Sequence, residues 1–107
     1  MNLRKYGLKK QVIKNIKDVF SVFPEVDEAI LYGSRAKGNF KPGSDIDLTL
    51  NGNNLNLTVL NKISLRLDDL LLAYTFDLSI YNHIKDKDLI DHINRKGIPF
   101  YKKGDAH

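Results

Sequence analysis

Two short segments with the residue patterns of β-strands, separated by turn-forming residues, constrain the fold of this chain most strongly. The first run, residues 29–32, ends at Gly33-Ser34, which is typical of a buried strand followed by a turn. The second run, residues 45–50, alternates polar and apolar side chains and follows Lys41-Pro42-Gly43-Ser44, whose central Pro and Gly predict a type II turn. We therefore predict two neighbouring antiparallel strands, with Gly33-Ser34 close to the acids that begin the second strand.

The alternation in the second run places Asp45 and Asp47 on one face of the strand, because side chains two positions apart point to the same side. Paired carboxylate oxygens suit Mg²⁺ or Mn²⁺. A glycine-serine turn such as Gly33-Ser34 can offer backbone N–H groups to a phosphate. The two features together predict a nucleotide site.

A third acid is predicted on the same sheet. Residues 74–81 alternate again, which predicts a half-buried strand with Asp77 on its open face. At ~4 Å and an effective dielectric of ~20, each pair of ionised carboxylates costs about 4 kcal/mol. A raised pKa, a basic side chain such as Arg35 or Lys37, or a divalent cation could offset this repulsion. A cation also has a chemical use, because it can bind a triphosphate and stabilise a leaving pyrophosphate.

Helical spacing of apolar residues predicts three helices, at residues 8–23, 57–73 and 87–96, and residues 98–101 could add a small edge strand. Leu65 and Leu72 lie away from the apolar stripe of the second helix. Exposed leucines are common, and a partner surface is the alternative. A chain of 107 residues has room for one core, so we expect a single domain over residues 1–103 and a disordered tail at 104–107.

The net charge of +4 favours anionic partners in general. The lysines of the first helix nevertheless predict a solvated face, since a nucleic-acid surface would show more Arg and exposed aromatics. The chain has no cysteine, which fits a cytoplasmic protein, and no signal peptide or membrane span is expected. His83 and His92 lack a His or Cys partner at metal-ligand spacing, so we interpret them as ordinary surface or half-buried histidines.

The pattern Gly33-Ser34-x-Ala36-x-Gly38, followed by Ser44-Asp45-x-Asp47-Leu48 and by Asp77, resembles the minimal nucleotidyltransferases of the DNA polymerase beta superfamily. The resemblance covers nearly the whole chain. It implies an α/β (α+β) nucleotidyltransferase fold, in which helices flank a short mixed β-sheet. It also implies catalytic roles and ligation of two Mg²⁺ ions, or Mn²⁺, by Asp45, Asp47 and Asp77.

The nucleotide-binding residues implied by this resemblance are Gly33, Ser34, Arg35, Lys37 and Ser44. The chain departs from many relatives at Lys37, where they have Arg. A lysine supplies one compact charge in place of a planar bidentate fork.

The resemblance also implies a partner. Minimal nucleotidyltransferases are commonly encoded beside a helical HEPN protein, as a toxin and antitoxin, and some transfer AMP from ATP to a tyrosine of that partner. Beyond Asp77 about thirty residues remain, too few for a helical substrate-holding domain, so we expect a second chain to complete the acceptor site.

We therefore expect a Mg²⁺-dependent nucleotidyltransferase that moves a nucleoside monophosphate onto a hydroxyl, within a homo- or hetero-oligomer. The alternative is a noncatalytic module that neutralises a partner by binding. Transfer to a small molecule such as an aminoglycoside would need an acceptor pocket that the sequence does not locate.

Overall fold

The computed structural model describes residues 4–70 and 72–104. An N-terminal hairpin of two short strands, β1 (Arg4–Lys5) and β2 (Leu8–Lys9), leads into helix α1 (Lys10–Ser21). The remaining elements follow in the order β3 (Glu28–Tyr32), α2 (Ser34–Lys37), β4 (Ile46–Asn51), α3 (Leu57–Asp68), β5 (Phe76–Ile80), a 3₁₀ turn (Tyr81–His83), α4 (Lys87–Lys96) and β6 (Ile98–Lys102).

The main sheet has four strands in the order β5-β4-β3-β6. Strand β3 pairs antiparallel with both β4 and β6, whereas β4 and β5 run parallel. The predicted antiparallel pair and the predicted edge strand are thus confirmed. The mixed sheet flanked by helices confirms the expected fold class.

One face of this sheet forms the hydrophobic core. Alternate strand residues point toward α1 and α3, whose apolar stripes cover them, because side chains in a strand alternate between faces and those of a helix recur every three to four positions. The buried residues of this layer are Ile16, Val19, Phe20, Ala29, Leu31, Ile46, Leu48, Leu50, Val59, Ile63 and Leu67. The polar residues of the same strands therefore lie on the opposite face, where α4 contacts β3.

The first helix begins at Lys10, two residues later than predicted, because Leu8 belongs to the hairpin. The two-residue turn of this hairpin has positive φ at both positions, 58° at Tyr6 and 74° at Gly7. Such values suit a tight hairpin connection but are uncommon for a residue like Tyr6.

The helix predicted over residues 57–73 ends at Asp68, and only one of the two leucines set apart from its apolar stripe is exposed. Leu65 is 65% exposed, whereas Leu72 is half-buried and packs against the core.

The turn before β4 and the C-terminal tail were also predicted from the sequence. The turn at residues 41–44 forms, with the Ser44 N–H donating to the Lys41 carbonyl at 3.0 Å, but Gly43 lacks the positive φ that a type II turn requires. Of the predicted tail, Gly104 is the last described residue, and residues 105–107 lie outside the described part of the chain.

Gly97 allows α4 and β6 to pack closely against β3. A Cβ atom at Gly97 would meet the Ile93 carbonyl oxygen, and it would lie 2.7 Å from Cγ2 of Ile30. A methyl group therefore fits only if helix or sheet shifts.

We predict that Gly97→Ala lowers the free energy of unfolding by about 1–3 kcal/mol, the usual cost of overpacking. Gly43→Ala is the matched control, because a Cβ at Gly43 meets nothing within 4 Å and φ there is not positive. Urea denaturation should show the control within about 0.5 kcal/mol of the parent protein. Equal stability of the two variants would contradict this packing account.

Candidate nucleotide site

The strand register brings Asp47 and Asp77 into one row. Asp47 of β4 is the Cα partner of Tyr32 on β3 and of Asp77 on β5. Directly paired side chains lie on the same face of a sheet, and neighbouring strands are about 4.8 Å apart. The predicted site acids therefore lie beside each other on the polar face, with Asp45 immediately before β4.

Burial and neighbouring charge raise the pKa of Asp47 from 3.8 to about 6. The largest cause is desolvation, followed by the negative charges of Asp77 and Asp45, and Arg35 acts weakly in the opposite direction. Repulsion within the acid cluster, expected from the sequence, is thus present. Arg35 compensates only part of it.

Among residues 4–70 and 72–104, no three His, Cys, Asp or Glu side chains are arranged closely enough to hold a metal ion by themselves. Asp45 and Asp77 are exposed, and Asp47 is half-buried. The three acids therefore form an open, incomplete ligand set. Their hard carboxylate oxygens nevertheless match the chemistry of Mg²⁺, which commonly takes one or two protein carboxylates and completes its shell with substrate phosphates and water.

The Gly33-Ser34 turn contacts the acid row directly. Gly33 has φ 75°, and a Cβ at this position would overlap Oδ2 of Asp47. The Lys37 and Gly38 N–H groups donate to the carbonyls of Gly33 and Ser34 at 3.1 and 2.9 Å, which closes the short helix α2. Glycine is therefore needed at position 33 both for its backbone conformation and for the close approach of Asp47.

Arg35 lies beneath the site and is 2% exposed. Its guanidinium donates to the backbone carbonyl of Ser44 at 2.8 and 3.2 Å, to that of Tyr6 at 3.0 Å and to that of Pro42 at 3.4 Å. The rings of Phe40 and Tyr74 lie over it at centroid distances of 5.4 and 5.1 Å. With its donors engaged in this way, Arg35 joins the hairpin to the loop before β4, and its role as a nucleotide ligand stays a prediction.

The other predicted nucleotide ligands differ in accessibility. Lys37 is exposed on α2. The Ser44 hydroxyl accepts a hydrogen bond from the Lys41 N–H at 2.8 Å, so this side chain shapes the turn that precedes Asp45.

A buried polar layer, which the sequence analysis did not include in the site, lies beside the acids. The Ser79 hydroxyl donates to that of Thr49 at 2.8 Å, and Thr49 is fully buried. Burial raises the pKa of Tyr32 above its usual value, and the negative charges of Asp77 and Asp47 raise it further. A hydrogen bond with Ser79 acts in the opposite direction. The only sequence signal for this layer was the polar character of alternate strand positions.

His92 is the second residue that the sequence analysis did not place in the site. It is half-buried on α4, as the sequence suggested, but its Nε2 accepts a hydrogen bond from the Gly33 N–H at 3.1 Å. A contact between residues 59 positions apart has no local signal in the sequence.

Comparisons with known proteins bear on the family and the fold of the chain. The profile of the family described as polymerase beta, nucleotidyltransferase, matches residues 14–106. No curated protein matches the chain significantly.

Several solved structures share the fold. A crystal structure of a toxin–antitoxin with AMP-PNP superposes with a TM-score of 0.64 at 20% identity, covering 89% of this chain and 73% of the other. A crystal structure of the toxin–antitoxin MntA-HepT gives 0.64 at 15% identity, with 89% and 74% covered. The tri-AMPylated Shewanella oneidensis HEPN toxin in complex with MNT antitoxin gives 0.57 at 18% identity, with 88% and 69% covered.

The chain belongs to the polymerase beta nucleotidyltransferase family, because the family profile covers most of its length. Its acid row and glycine-serine turn lie where the sequence pattern predicts them. No described helix is long and apolar enough to cross a membrane.

We predict that Arg35→Met lowers the free energy of unfolding by about 2–4 kcal/mol, because three backbone carbonyls lose a charged donor that is itself buried. Arg35→Lys should recover only part of this loss, since one ammonium cannot reproduce the planar fork. Lys37→Met, exposed on the same helix, is the control and should stay within about 0.5 kcal/mol in urea denaturation. A similar loss in both methionine variants would show that Arg35 does not have this anchoring role.

We predict that Asp47→Asn stabilises the fold at neutral pH. A folded-state pKa raised from 3.8 to about 6 favours folding of the protonated form, so this stability is present below about pH 4 and is lost as the pH rises through 6. The variant should exceed the parent by roughly 1–2 kcal/mol at pH 7.5, reduced from the full shift by solvent screening, and match it near pH 4. Thermal unfolding at the two pH values measures the difference.

Asp45→Asn is the control for this experiment, because Asp45 is exposed before the same strand. It should give a smaller gain. A stabilisation by Asp47→Asn that is equally large at pH 4 would exclude carboxylate ionisation as its cause.

Proposed function

We propose that this nucleotidyltransferase moves AMP from ATP onto a tyrosine hydroxyl of a helical HEPN-type partner, in the cytoplasm. The observation that carries the proposal is the contact between the Gly33-Ser34 turn and the row formed by Asp47 and Asp77. A phosphate-binding turn and a pair of carboxylates at the same end of a sheet are what nucleotidyl transfer requires, because this chemistry depends chiefly on positioning and electrostatics.

The proposed roles follow from accessibility. Ser34 and the backbone of Gly33 border the triphosphate, with the Gly33 N–H bonded to His92 and setting the shape of the turn, and the exposed Lys37 neutralises part of the triphosphate charge. Asp77, exposed on the edge strand β5, accepts the proton of the incoming hydroxyl. The acceptor oxygen forms a bond to the α-phosphorus, the bond from that phosphorus to the bridging oxygen breaks, and pyrophosphate leaves with the electron pair.

Asp45, Asp47 and Asp77 are the residues that would hold a divalent cation, Mg²⁺ or Mn²⁺. The fit rests on their hard oxygen donors and on the position of Asp47 beside Asp77 in the strand register, immediately after Asp45 and Ile46. When bound, the cation supplies charge for the triphosphate and lowers the pKa of the acceptor hydroxyl.

Two similar structures support the choice of nucleotide and partner. One is a toxin–antitoxin with AMP-PNP, and another contains an AMPylated HEPN toxin with its MNT antitoxin. The open position of Asp77 at the edge of the sheet is consistent with an acceptor that a second chain provides.

The test is transfer of label from α-labelled ATP in the presence of Mg²⁺, using this chain co-purified with the products of its neighbouring genes. We expect the partner to gain the mass of AMP on a tyrosine. Asp47→Asn and Asp77→Asn should each reduce transfer by about 100-fold or more. Asp68→Asn, an exposed acid at the end of α3, is the control and should leave transfer unchanged.

A thermal shift separates binding from transfer. Mg²⁺ with ATP at one hundred times the dissociation constant should stabilise the fold by ~2.7 kcal/mol. Thermal stabilisation without transfer would show that the protein binds nucleotide but would exclude the proposed reaction. Full activity of Asp47→Asn would exclude the assigned site.

A further inference from the structure

The N–H of Gly33 already has a partner on a distant helix. It donates to Nε2 of His92 at 3.1 Å. A histidine nitrogen accepts a hydrogen bond only when it carries no proton, so the imidazole of His92 is neutral here and its hydrogen lies on Nδ1. This bond joins α4 to the turn that the proposed function assigns to the triphosphate.

Helix α4 holds His92 firmly. The Asp86 carboxylate accepts from the N–H groups of Asp88 and Leu89 at 2.9 and 3.3 Å, which caps the start of the helix. Ile93, the next residue after His92, is buried at 2% exposure. The helix therefore provides a fixed support for the imidazole.

The ring of His92 is also oriented by the sheet. It packs edge-on against Tyr32, with centroids 6.2 Å apart and planes at 75°. Tyr32 directly precedes Gly33 and is paired in register with Asp47. His92 thus contacts both residues at the end of β3, where the chain leaves the strand and enters the turn.

We propose that His92 is a positioning residue for the nucleotide, acting through Gly33. Gly33 adopts φ 75° and ψ −154°, a conformation available essentially to glycine, and it has many alternatives open to it. The bond to His92 selects this one conformation. It thereby keeps the turn against Asp47 and presents Ser34 in a single arrangement. The inference rests on the proposed nucleotide contact of this turn.

The first experiment measures nucleotide affinity and turnover in His92→Phe, His92→Gln and His92→Asn. Phe keeps a ring against Tyr32 but has no acceptor. The Gln amide extends about as far as Nε2, whereas the Asn amide ends near Nδ1 and falls short of Gly33.

We expect His92→Phe and His92→Asn to weaken binding of AMP-PNP with Mg²⁺ and to raise KM for ATP by about fivefold, the factor that one net hydrogen bond supplies, with a smaller change in kcat. His92→Gln should restore both values to within about twofold of the parent. His83→Phe, at an exposed histidine in the 3₁₀ turn, is the control and should change neither. Melting temperatures identify any variant that is merely unfolded.

A second measurement needs no activity at all. The ¹⁵N spectrum of the imidazole should show His92 protonated on Nδ1 and not on Nε2, and the Gly33 amide should exchange with solvent faster in His92→Phe than in His92→Gln. These readouts, and the affinity for AMP-PNP, remain available even if no transfer to a partner is observed. Failure of the proposed function is therefore distinguishable from failure of this inference.

Three outcomes would overturn the proposal. One is the opposite imidazole tautomer, and another is an unchanged affinity in His92→Phe. The third is a tighter affinity in that variant, which would mean that His92 competes with phosphate for the Gly33 N–H.

Discussion

The buried guanidinium of Arg35 is the interaction on which the arrangement of the site depends. A charge removed from water is costly unless its donors are satisfied, and here the acceptors come from two separate segments: the carbonyl of Tyr6 in the hairpin, and those of Pro42 and Ser44 in the loop before β4. The N-terminal hairpin and the loop before β4 must therefore reach their places together. Since Arg35 follows the Gly33-Ser34 turn by one residue, the same bonds set the position of that turn against the strand that carries Asp47. The site therefore forms only when the hairpin, the turn and the loop before β4 have all folded.

The two faces of the sheet have opposite effects on stability. The face beneath α1 and α3 is a continuous apolar layer, whose burial drives folding. On the opposite face, Asp47 is paired in register with both Tyr32 and Asp77, and burial, together with the neighbouring negative charges, raises the pKa of both Asp47 and Tyr32. Arg35 offsets only part of this cost, and the remainder is compensated by the core. A site of this kind favours positively charged species and hydrogen-bond donors.

Much of this arrangement was predictable from the sequence, because it depends on local periodicity. Alternation gave the strands that carry Asp47 and Asp77, and helical spacing gave α4 with its bounds intact. The features that could not be predicted depend on contacts between segments that are distant in the sequence. The acceptors of Arg35 are backbone carbonyls, which every residue possesses, and the bond from Gly33 to His92 spans 59 positions. The N-terminal hairpin was missed because Tyr6 adopts a positive φ that its residue type disfavours. The end of α3 was missed because leucines continue beyond Asp68, so that apolar content alone did not mark it.

The position of Asp77 on the edge strand has a consequence for what can reach the site. Along the row from Tyr32 through Asp47 to Asp77, the side chains change from buried to half-buried to exposed. Helix α4 covers the β3 end, so the row opens sideways past β5. In the proposed reaction, an acceptor entering from this side would meet the edge of a sheet and would not pass down an enclosed channel. This opening would then set how far the acceptor hydroxyl must protrude from its carrier, whereas the size of the carrier would matter little.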